Sequence, residues 1–263
     1  MKFLTRGMLA LAVPMLFLAV PAYAQDSAIY TQCPDWTLLH DADEDGDGEP
    51  GDGIPGGTGI KCKHLSGGDG FVTMADRERI YIFSFADIPM PDSTEFLDSG
   101  LDYPSFTMEQ GMLAAEAPAP TIVIDEDDEL FLTLTNVGMT MRPDLFDAHT
   151  VHWHGFPQAS SVFDGVPDAS IAINMGASLT YYYNAKDAGT YMYHCHVEAT
   201  EHMQMGMLGN LYVRPRQNRL AADADLFDAF AANAANVANG GTTPAPAVDT
   251  ELTHVDGTLY AYN

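Results

Sequence analysis

Short apolar segments separated by turn residues occupy the middle of the chain. Six of them are rich in β-branched and aromatic side chains, which favour strands: Ile80–Phe85, Pro118–Ile124, Leu130–Asn136, Ser178–Tyr183, Thr190–Tyr193 and Met207–Val213. Short strands with turn signals and few helices are typical of an antiparallel β-sandwich. We therefore expect an all-β domain over residues 73–216.

The segments on either side of this domain differ from it in composition. Residues 1–24 have the features of a secretory signal peptide, with Lys2 and Arg6 before an apolar run and a cleavage motif at Ala22-Tyr23-Ala24. Residues 25–72 are rich in Gly, Pro and Asp and predict an irregular acidic segment. Residues 217–263 predict a short helix, a linker and a truncated strand region, because Ala-rich sequence precedes a Gly/Pro stretch.

Within the acidic segment, alternate carboxylates suggest a cation site. Asp41, Asp43 and Asp45 are spaced as at the start of a calcium loop, and Gly46 follows them. The twelfth position is Asp52 rather than the usual Glu, and a poor helix start follows it. Two interpretations stay open, a Ca²⁺ site and a solvated acidic linker.

Charge and cysteine content indicate which partners are excluded and in which compartment the protein resides. The formal net charge is −26, which repels nucleic acid and anionic membranes, so we expect neither as a partner once the signal peptide is cleaved. The signal peptide predicts a periplasmic or secreted protein. In such an oxidising compartment a disulfide between Cys33 and Cys62 is the default expectation, with two free thiols as the alternative.

The third cysteine lies in a group of metal-binding residues. Cys195 stands between His194 and His196, and His202 and Met207 follow it. A thiolate, imidazoles and a weak thioether form the ligand set of an electron-transfer copper site. The full set of copper ligands needs one more histidine from elsewhere in the chain. A candidate lies earlier, in the sequence His149-Thr150-Val151-His152-Trp153-His154. A lone His-x-His pair is weak evidence for a metal site. Its combination with the His-Cys-His motif, His202 and Met207 predicts a copper site.

These motifs resemble those of the multicopper oxidases, laccase-like members of the cupredoxin superfamily. The resemblance covers roughly residues 79–214 and includes the entry strand Pro118–Ile122, the paired His motifs, Asp164-Gly165-Val166-Pro167 and Gly189–His196. It implies a Greek-key cupredoxin β-sandwich. One difference is that five residues separate His196 from His202, where three are usual, so the ligand loop is longer.

The resemblance also implies a role for each ligand. His149, Cys195, His202 and the axial Met207 would hold a mononuclear blue copper. His152 would bind the lone copper of a trinuclear cluster, and its paired coppers would be bound by His154, His194 and His196. The implied activity is one-electron oxidation of a small reducing substrate, a phenol or a metal ion, coupled to four-electron reduction of dioxygen to water.

Dioxygen reduction consumes protons, so carboxylates near the cluster are candidate proton donors. Asp164 matches an element of the family that resembles an acid near the lone copper. Glu198 and Glu201 lie in the ligand loop. Each of the three has the alternative interpretation of a surface carboxylate.

Ligand counting predicts a homo-oligomer. The family's trinuclear cluster takes eight histidines, whereas only four of the nine in this chain lie in cluster motifs. Two facing half-sites would supply eight, so we expect a cluster shared between chains; the alternative is that a further domain supplies the rest.

Two other functions remain, an electron-transfer cupredoxin and a copper nitrite reductase-like enzyme, although His196 argues against the latter.

Overall fold

The computed structural model describes residues 27–34 and 59–215. Two four-stranded sheets enclose one apolar core, to which every strand contributes, the edge strands included. The predicted all-β sandwich and all six predicted strands are confirmed. The strands are β1 (Ile60–Thr73), β2 (Arg79–Ile88), β3 (Ala119–Asp125), β4 (Glu129–Gly138), β5 (His152–His154), β6 (Ser178–Asn184), β7 (Gly189–His194) and β8 (Leu208–Arg214).

Both sheets are mixed rather than purely antiparallel. The first has the order β2-β1-β4-β6, with β1 parallel to β4, and the second has the order β3-β8-β7-β5, with β3 parallel to β8. The expectation of an antiparallel sandwich is therefore wrong for these two pairs. Their strands are far apart in the sequence, so the direction of pairing has no local signal in either segment.

Strand β1 lies in the segment that we expected to be irregular, so the predicted domain boundary at residue 73 is too late. The sequence Gly67-Gly68-Asp69-Gly70 within β1 lacks the alternation of apolar and polar residues that indicates a strand. The glycines have a packing cause. A Cβ on Gly67 would lie 3.0 Å from Cδ2 of His149, so the bare backbone leaves room for that imidazole.

The N-terminal described segment lies along β6. The backbone N–H of Ser178 donates to the carbonyl of Ala28, and the N–H of Tyr30 donates to the Ser178 hydroxyl. The predicted disulfide between Cys33 and Cys62 is confirmed, with the two Cα atoms 5.7 Å apart. This bond ties the segment to the beginning of β1, and the segment covers the outer edge of the first sheet.

Three short α-helices and one 3₁₀ turn complete the described part. They are α1 (Thr94–Ser99), α2 (Tyr103–Gly111), α3 (Ala199–Met205) and the 3₁₀ turn Ser161–Phe163. Side-chain caps begin the first two helices: Ser93 accepts from the N–H of Phe96, and Asp102 accepts from the N–H of Ser105. Among the described residues, no helix has the length and apolar character needed to span a bilayer.

Several predictions fall outside the described residues. These are the signal peptide at 1–24, the candidate Ca²⁺ ligands Asp41, Asp43 and Asp45, and the C-terminal helix, linker and strand region at 217–263. They stay predictions.

Candidate metal centre

The structure brings His149, Cys195 and His202 together in the core. All three side chains are fully buried, and one ligand atom from each lies within 4.8 Å of the other two. The Cys195 Sγ is 3.2 Å from Nδ1 of His202 and 4.0 Å from Nδ1 of His149. Two imidazoles therefore point the same ring nitrogen at one sulfur.

The backbone around this set is fixed by hydrogen bonds between the two ligand segments. The N–H of Cys195 donates to the carbonyl of Met207, and the N–H of His196 donates to the hydroxyl of Thr150. Met207 is fully buried in the same core cluster as Cys195. Met207, the predicted axial ligand, thus lies in the core on the segment whose backbone bonds to Cys195.

The longer ligand loop does not displace His202, because most of the loop is helical. Helix α3 carries His202 and ends at Gly206, whose φ of 124° is open to glycine but rarely to other residues. The ring of Phe83 packs edge-on against His202, with the ring centroids 6.0 Å apart. The added residues therefore form a helical turn and leave the imidazole in the core.

The three donors fit a first-row metal ion. Bonds of about 2.0 Å to nitrogen and about 2.3 Å to sulfur, 120° apart, would separate nitrogen from sulfur by about 3.7 Å, and the two measured separations bracket this value. Burial raises the pKa of the Cys195 thiol to about 11 and lowers the pKa of His149 to about 3. An ion that takes the thiolate offsets the first of these shifts, because coordination deprotonates a thiol.

A second group of histidines lies next to the first. Strand β5 pairs with β7 so that His152 is opposite His194. One ligand atom each of His152, His154 and His194 lies within 4.8 Å of the other two. His196 joins them through its ring, whose centroid is 5.1 Å from that of His152 and 5.8 Å from that of His194. All four histidines of the predicted half-cluster are thus adjacent.

Hydrogen bonds assign the ring nitrogens of two of these histidines. Nδ1 of His152 donates to the Asp164 carbonyl at 2.5 Å, and Nδ1 of His194 donates to the Cys195 carbonyl at 2.8 Å. Both rings therefore offer Nε2 to a metal. Nε2 of His194 is 3.1 Å from Nδ1 of His154, a spacing that two ligands of one ion also have. His154 is exposed and His152 is partly exposed, so the group opens at the molecular surface.

The Asp164 turn is held rigidly against β5. The Asp164 carboxylate is 3.4 Å from Nδ1 of His152, in addition to the carbonyl contact. Gly165 has φ 75°, and a Cβ there would lie 2.1 Å from the carbonyl oxygen of Val151. The hydroxyl of Ser170 accepts from the Gly165 N–H and donates to the carbonyl of Val162. The sequence analysis named Asp164 but missed Ser170, because a lone serine six residues away carries no spacing signal.

Neither loop glutamate is grouped with the four histidines in the described part of the chain. Glu198 is grouped with Asp147 and His202, with one ligand atom of each within 4.8 Å, and Glu201 is exposed on α3. The geometry therefore places Glu198 at the buried Cys195 set and not at the four-histidine group. Asp147 was missed by the sequence analysis, although it stands two residues before His149.

One further described histidine, His64, has hydrogen-bond partners at both ring nitrogens. It precedes the predicted domain at residues 73–216, yet it is fully buried on β1 of the sandwich. Its Nδ1 is 2.7 Å from the Tyr103 hydroxyl and its Nε2 is 2.7 Å from the Thr135 hydroxyl. Since Tyr103 donates to the carbonyl of Pro89, His64 donates through Nδ1 and accepts through Nε2. Neither nitrogen is left for a metal.

Known proteins resemble part of this chain. A family model described as multicopper oxidase matches residues 106–218. A multicopper oxidase of Talaromyces pinophilus is 37% identical over 103 residues, which is 38% of this chain and 16% of that protein. Laccase-1 of Emericella nidulans is 36% identical over 107 residues, 40% of this chain and 16% of the relative. The chain thus matches less than one fifth of the length of these relatives.

Among solved structures, the blue copper oxidase of Nitrosomonas europaea matches 65% of this chain and 41% of its own, at 28% identity and a TM-score of 0.44. The family match covers β3 to β8 and therefore every residue of both histidine groups. Residues 106–218 of this chain are thus similar to the multicopper oxidase family.

Proposed function

We propose that the protein is a copper-dependent oxidase, which oxidises a small reducing substrate and reduces dioxygen to water. One observation carries the proposal. Cys195 belongs to the buried set, while its two neighbours in sequence, His194 and His196, belong to the four-histidine group. Adjacent peptide units therefore join the two sites, and such a path suits electron transfer between a one-electron site and a site that collects several electrons.

The side chains of the two groups are the proposed copper ligands. His149, Cys195, His202 and the axial Met207 would hold one blue copper, and His152, His154, His194 and His196 would hold half of a trinuclear cluster. Copper bound there supplies the one-electron chemistry and the reduction of dioxygen. The protein fixes which ring nitrogen each histidine offers, through the carbonyls of Asp164 and Cys195, and keeps water from the buried set.

Asp164 is the proposed proton donor. Its carboxylate lies 3.4 Å from the imidazole of His152 and is partly exposed, so it can pass protons from solvent to the four-histidine group. Glu198 and Glu201 have no comparable contact with that group in the described structure, and their predicted part in proton delivery rests on sequence position alone.

The cluster is proposed to lie between chains. The described part of the chain offers four histidines to it, and His64 is excluded by its hydrogen bonds. His154 is exposed at the edge strand β5, where a second copy could present the matching half. A two-fold arrangement brings the same surface of both chains together, and a ring of three could satisfy the same ligand count.

Sizing of the copper-loaded protein, combined with metal analysis and oxygen uptake, tests the proposal. We expect an oligomer that reduces dioxygen and holds more copper than the single blue site of each chain. A monomer that reduces dioxygen with a full cluster would contradict sharing between chains. One copper per chain without oxygen uptake would instead favour an electron-transfer cupredoxin, for which the four-histidine group has no use.

The names of the relatives support a class of substrate, and the disulfide supports a location. Relatives carry the name laccase, which favours a phenol, and a metal ion is the alternative. Turnover rates across phenols and reduced metal ions would separate the two. The disulfide supports a periplasmic or secreted location, since such bonds persist in oxidising compartments.

A further inference from the structure

We propose that Tyr81 is a redox-active relay, through which a phenol at the protein surface passes one electron towards the buried Cys195 set. Tyr81 lies on β2 and is partly exposed. The proposal rests on the proposed function and deepens it. It names the place where electrons enter and, as the substrate class, phenols that need only touch the surface, including the phenolic groups of polymers.

The burial of both imidazoles of the buried set is the first argument. The side chains of His149 and His202 have no exposed area. A substrate in solution therefore contacts neither ring, and its electron has to cross another side chain. Two partly exposed side chains lead towards His202. One is Tyr81, through Phe83; the other is Asp147, which is 17% exposed and whose Oδ2 is 3.6 Å from Nε2 of His202. Of the two, the phenol is the group that loses and regains an electron reversibly.

A row of aromatic rings is the second argument. The Tyr81 ring centroid lies 5.5 Å from that of Phe83, and the Phe83 centroid lies 6.0 Å from that of His202. Both are edge-to-face contacts at the usual separation of packed rings. Strand geometry produces the row, because Tyr81 and Phe83 are two residues apart on β2 and therefore lie on the same face. The electron thus crosses two direct ring contacts between Tyr81 and the ligand imidazole.

A buried carboxylate next to Tyr81 is the third argument. The Tyr81 hydroxyl donates to Oδ2 of Asp69 at 2.7 Å, and Asp69 is fully buried. The backbone N–H groups of Thr140 and Met141 hold this carboxylate in place, at 2.9 and 2.7 Å. Burial and the hydrogen bond to Asp69 raise the pKa of Tyr81, so the phenol stays protonated while it is reduced. Loss of an electron makes a phenol strongly acidic, and Asp69 then takes the proton.

The step balances in electrons and protons. Tyr81 gives one electron to the oxidised one-electron site at Cys195, and its O–H proton crosses the hydrogen bond to Asp69. A phenol at the surface then returns one electron to the Tyr81 radical, and Asp69 returns the proton to the Tyr81 oxygen. The substrate leaves as a phenoxyl radical and releases its own proton to water. Dioxygen, the oxidant of the proposed function, finally accepts the electron.

The surface beside Tyr81 fits a phenol better than a metal ion. Phe71 is directly opposite Tyr81 in the sheet, and the two ring centroids are 5.5 Å apart. The Phe71 side chain is 38% exposed, and the Arg79 guanidinium lies 4.8 Å from its ring centroid. An aromatic substrate can stack on such a ring, and the guanidinium attracts a phenolate or the carboxylate of a phenolic acid. The same guanidinium repels a metal cation.

The first test is reduction of the blue band in the copper-loaded protein, followed by stopped flow without dioxygen. The reductant is a phenol, either free or coupled to dextran. Tyr81→Phe keeps the ring contacts and removes only the hydroxyl. We expect it to slow bleaching about tenfold or more with both reductants, at unchanged copper content. The control Tyr212→Phe removes a hydroxyl from an exposed tyrosine on β8 and should leave both rates as in the parent protein.

The second test needs no copper. The copper-free protein is photo-oxidised with a ruthenium tris-bipyridine complex and persulfate, and tyrosyl radicals are captured with a nitroso spin trap and located by mass spectrometry. We expect more adduct at Tyr81 than at Tyr212, although Tyr212 is the more exposed, because Asp69 takes the Tyr81 proton. Asp69→Asn should remove this excess, since an amide is no base for a phenol.

Three outcomes would overturn the relay or its substrate class. Parent-like bleaching in Tyr81→Phe together with slow bleaching in Asp147→Asn would place electron entry at Asp147. Equal adduct at Tyr81 and Tyr212 would refute the role of Asp69. Bleaching of the parent protein by free phenol but not by the dextran conjugate would exclude polymer-bound phenols. A protein that labels Tyr81 selectively but shows no blue band would refute the proposed function and not the Tyr81–Asp69 pair.

Discussion

His64 provides a quantitative test of burial within the sandwich. The proposed perturbation is His64→Gln, since glutamine can also donate to Tyr103 and accept from Thr135, the two partners of the buried ring. Burial lowers the pKa of His64 from 6.5 to about 3. The folded protein therefore keeps this imidazole neutral at pH values where the unfolded chain protonates it.

The sign and size of the effect follow from proton linkage. Between pH 6.5 and about 3 the unfolded state binds one more proton at His64 than the folded state, so stability falls as the pH falls. The slope is about 1.4 kcal/mol per pH unit. Moving from pH 7 to pH 5 should therefore cost the parent protein about 2 kcal/mol through this one group. The glutamine variant lacks this loss.

This pH dependence of stability is measured by urea unfolding of the copper-free parent protein and of His64→Gln at pH 7, 6 and 5. The difference in unfolding free energy between the two proteins should shift by about 2 kcal/mol in favour of the variant between pH 7 and 5. Other titrating groups, including the buried His149, contribute equally to both proteins and cancel. A difference that stays constant with pH would refute the buried neutral imidazole. Unchanged copper content in the variant would agree with the exclusion of His64 from the ligands.

Three further predictions concern the centre itself. Cys195→Ser should abolish the blue absorption and oxygen uptake, with near-parent far-UV circular dichroism, because only the soft ligand is lost; a surviving blue band would contradict the assignment. Asp164→Ala should slow reoxidation of the reduced cluster more than reduction of the blue copper, by about tenfold or more, in stopped-flow experiments; equal reoxidation rates would remove Asp164 as a proton donor. Gly165→Ala should lower copper content at the four-histidine group, because its Cβ would lie 2.1 Å from the Val151 carbonyl; metal analysis equal to the parent would refute this close approach.

The sequence indicated the six strands and the candidate ligand side chains that the fold brings together, because both depend on local spacing. His152 and His154 alternate with Trp153, and strand alternation alone puts both imidazoles on one face. The His-Cys-His sequence likewise places two imidazoles on the side opposite the thiolate. The family resemblance was needed to propose which candidate ligands serve which copper, and the same side chains lie close together in the described structure.

What the sequence did not indicate depends on contacts between distant segments. Strand β1 was missed because its glycines reflect the approach of His149, which is about eighty residues away in the chain. The burial of His64 depends on Tyr103 and Thr135, which come from a helix and another strand. The grouping of Asp147 with Glu198 likewise arises only when the loop before His149 meets the start of α3.

The short edge strand β5 also has a consequence for handling the protein. It has three residues and presents His154 at an exposed edge of the second sheet. If each chain completes its neighbour's cluster, copper retention and subunit association obey one mass-action equilibrium. Dilution should then release cluster copper while the blue copper, which is enclosed by a single chain, remains bound. An apparent copper affinity is thus meaningful only with the protein concentration stated, and a preparation purified at low concentration should retain its colour while losing its oxygen chemistry.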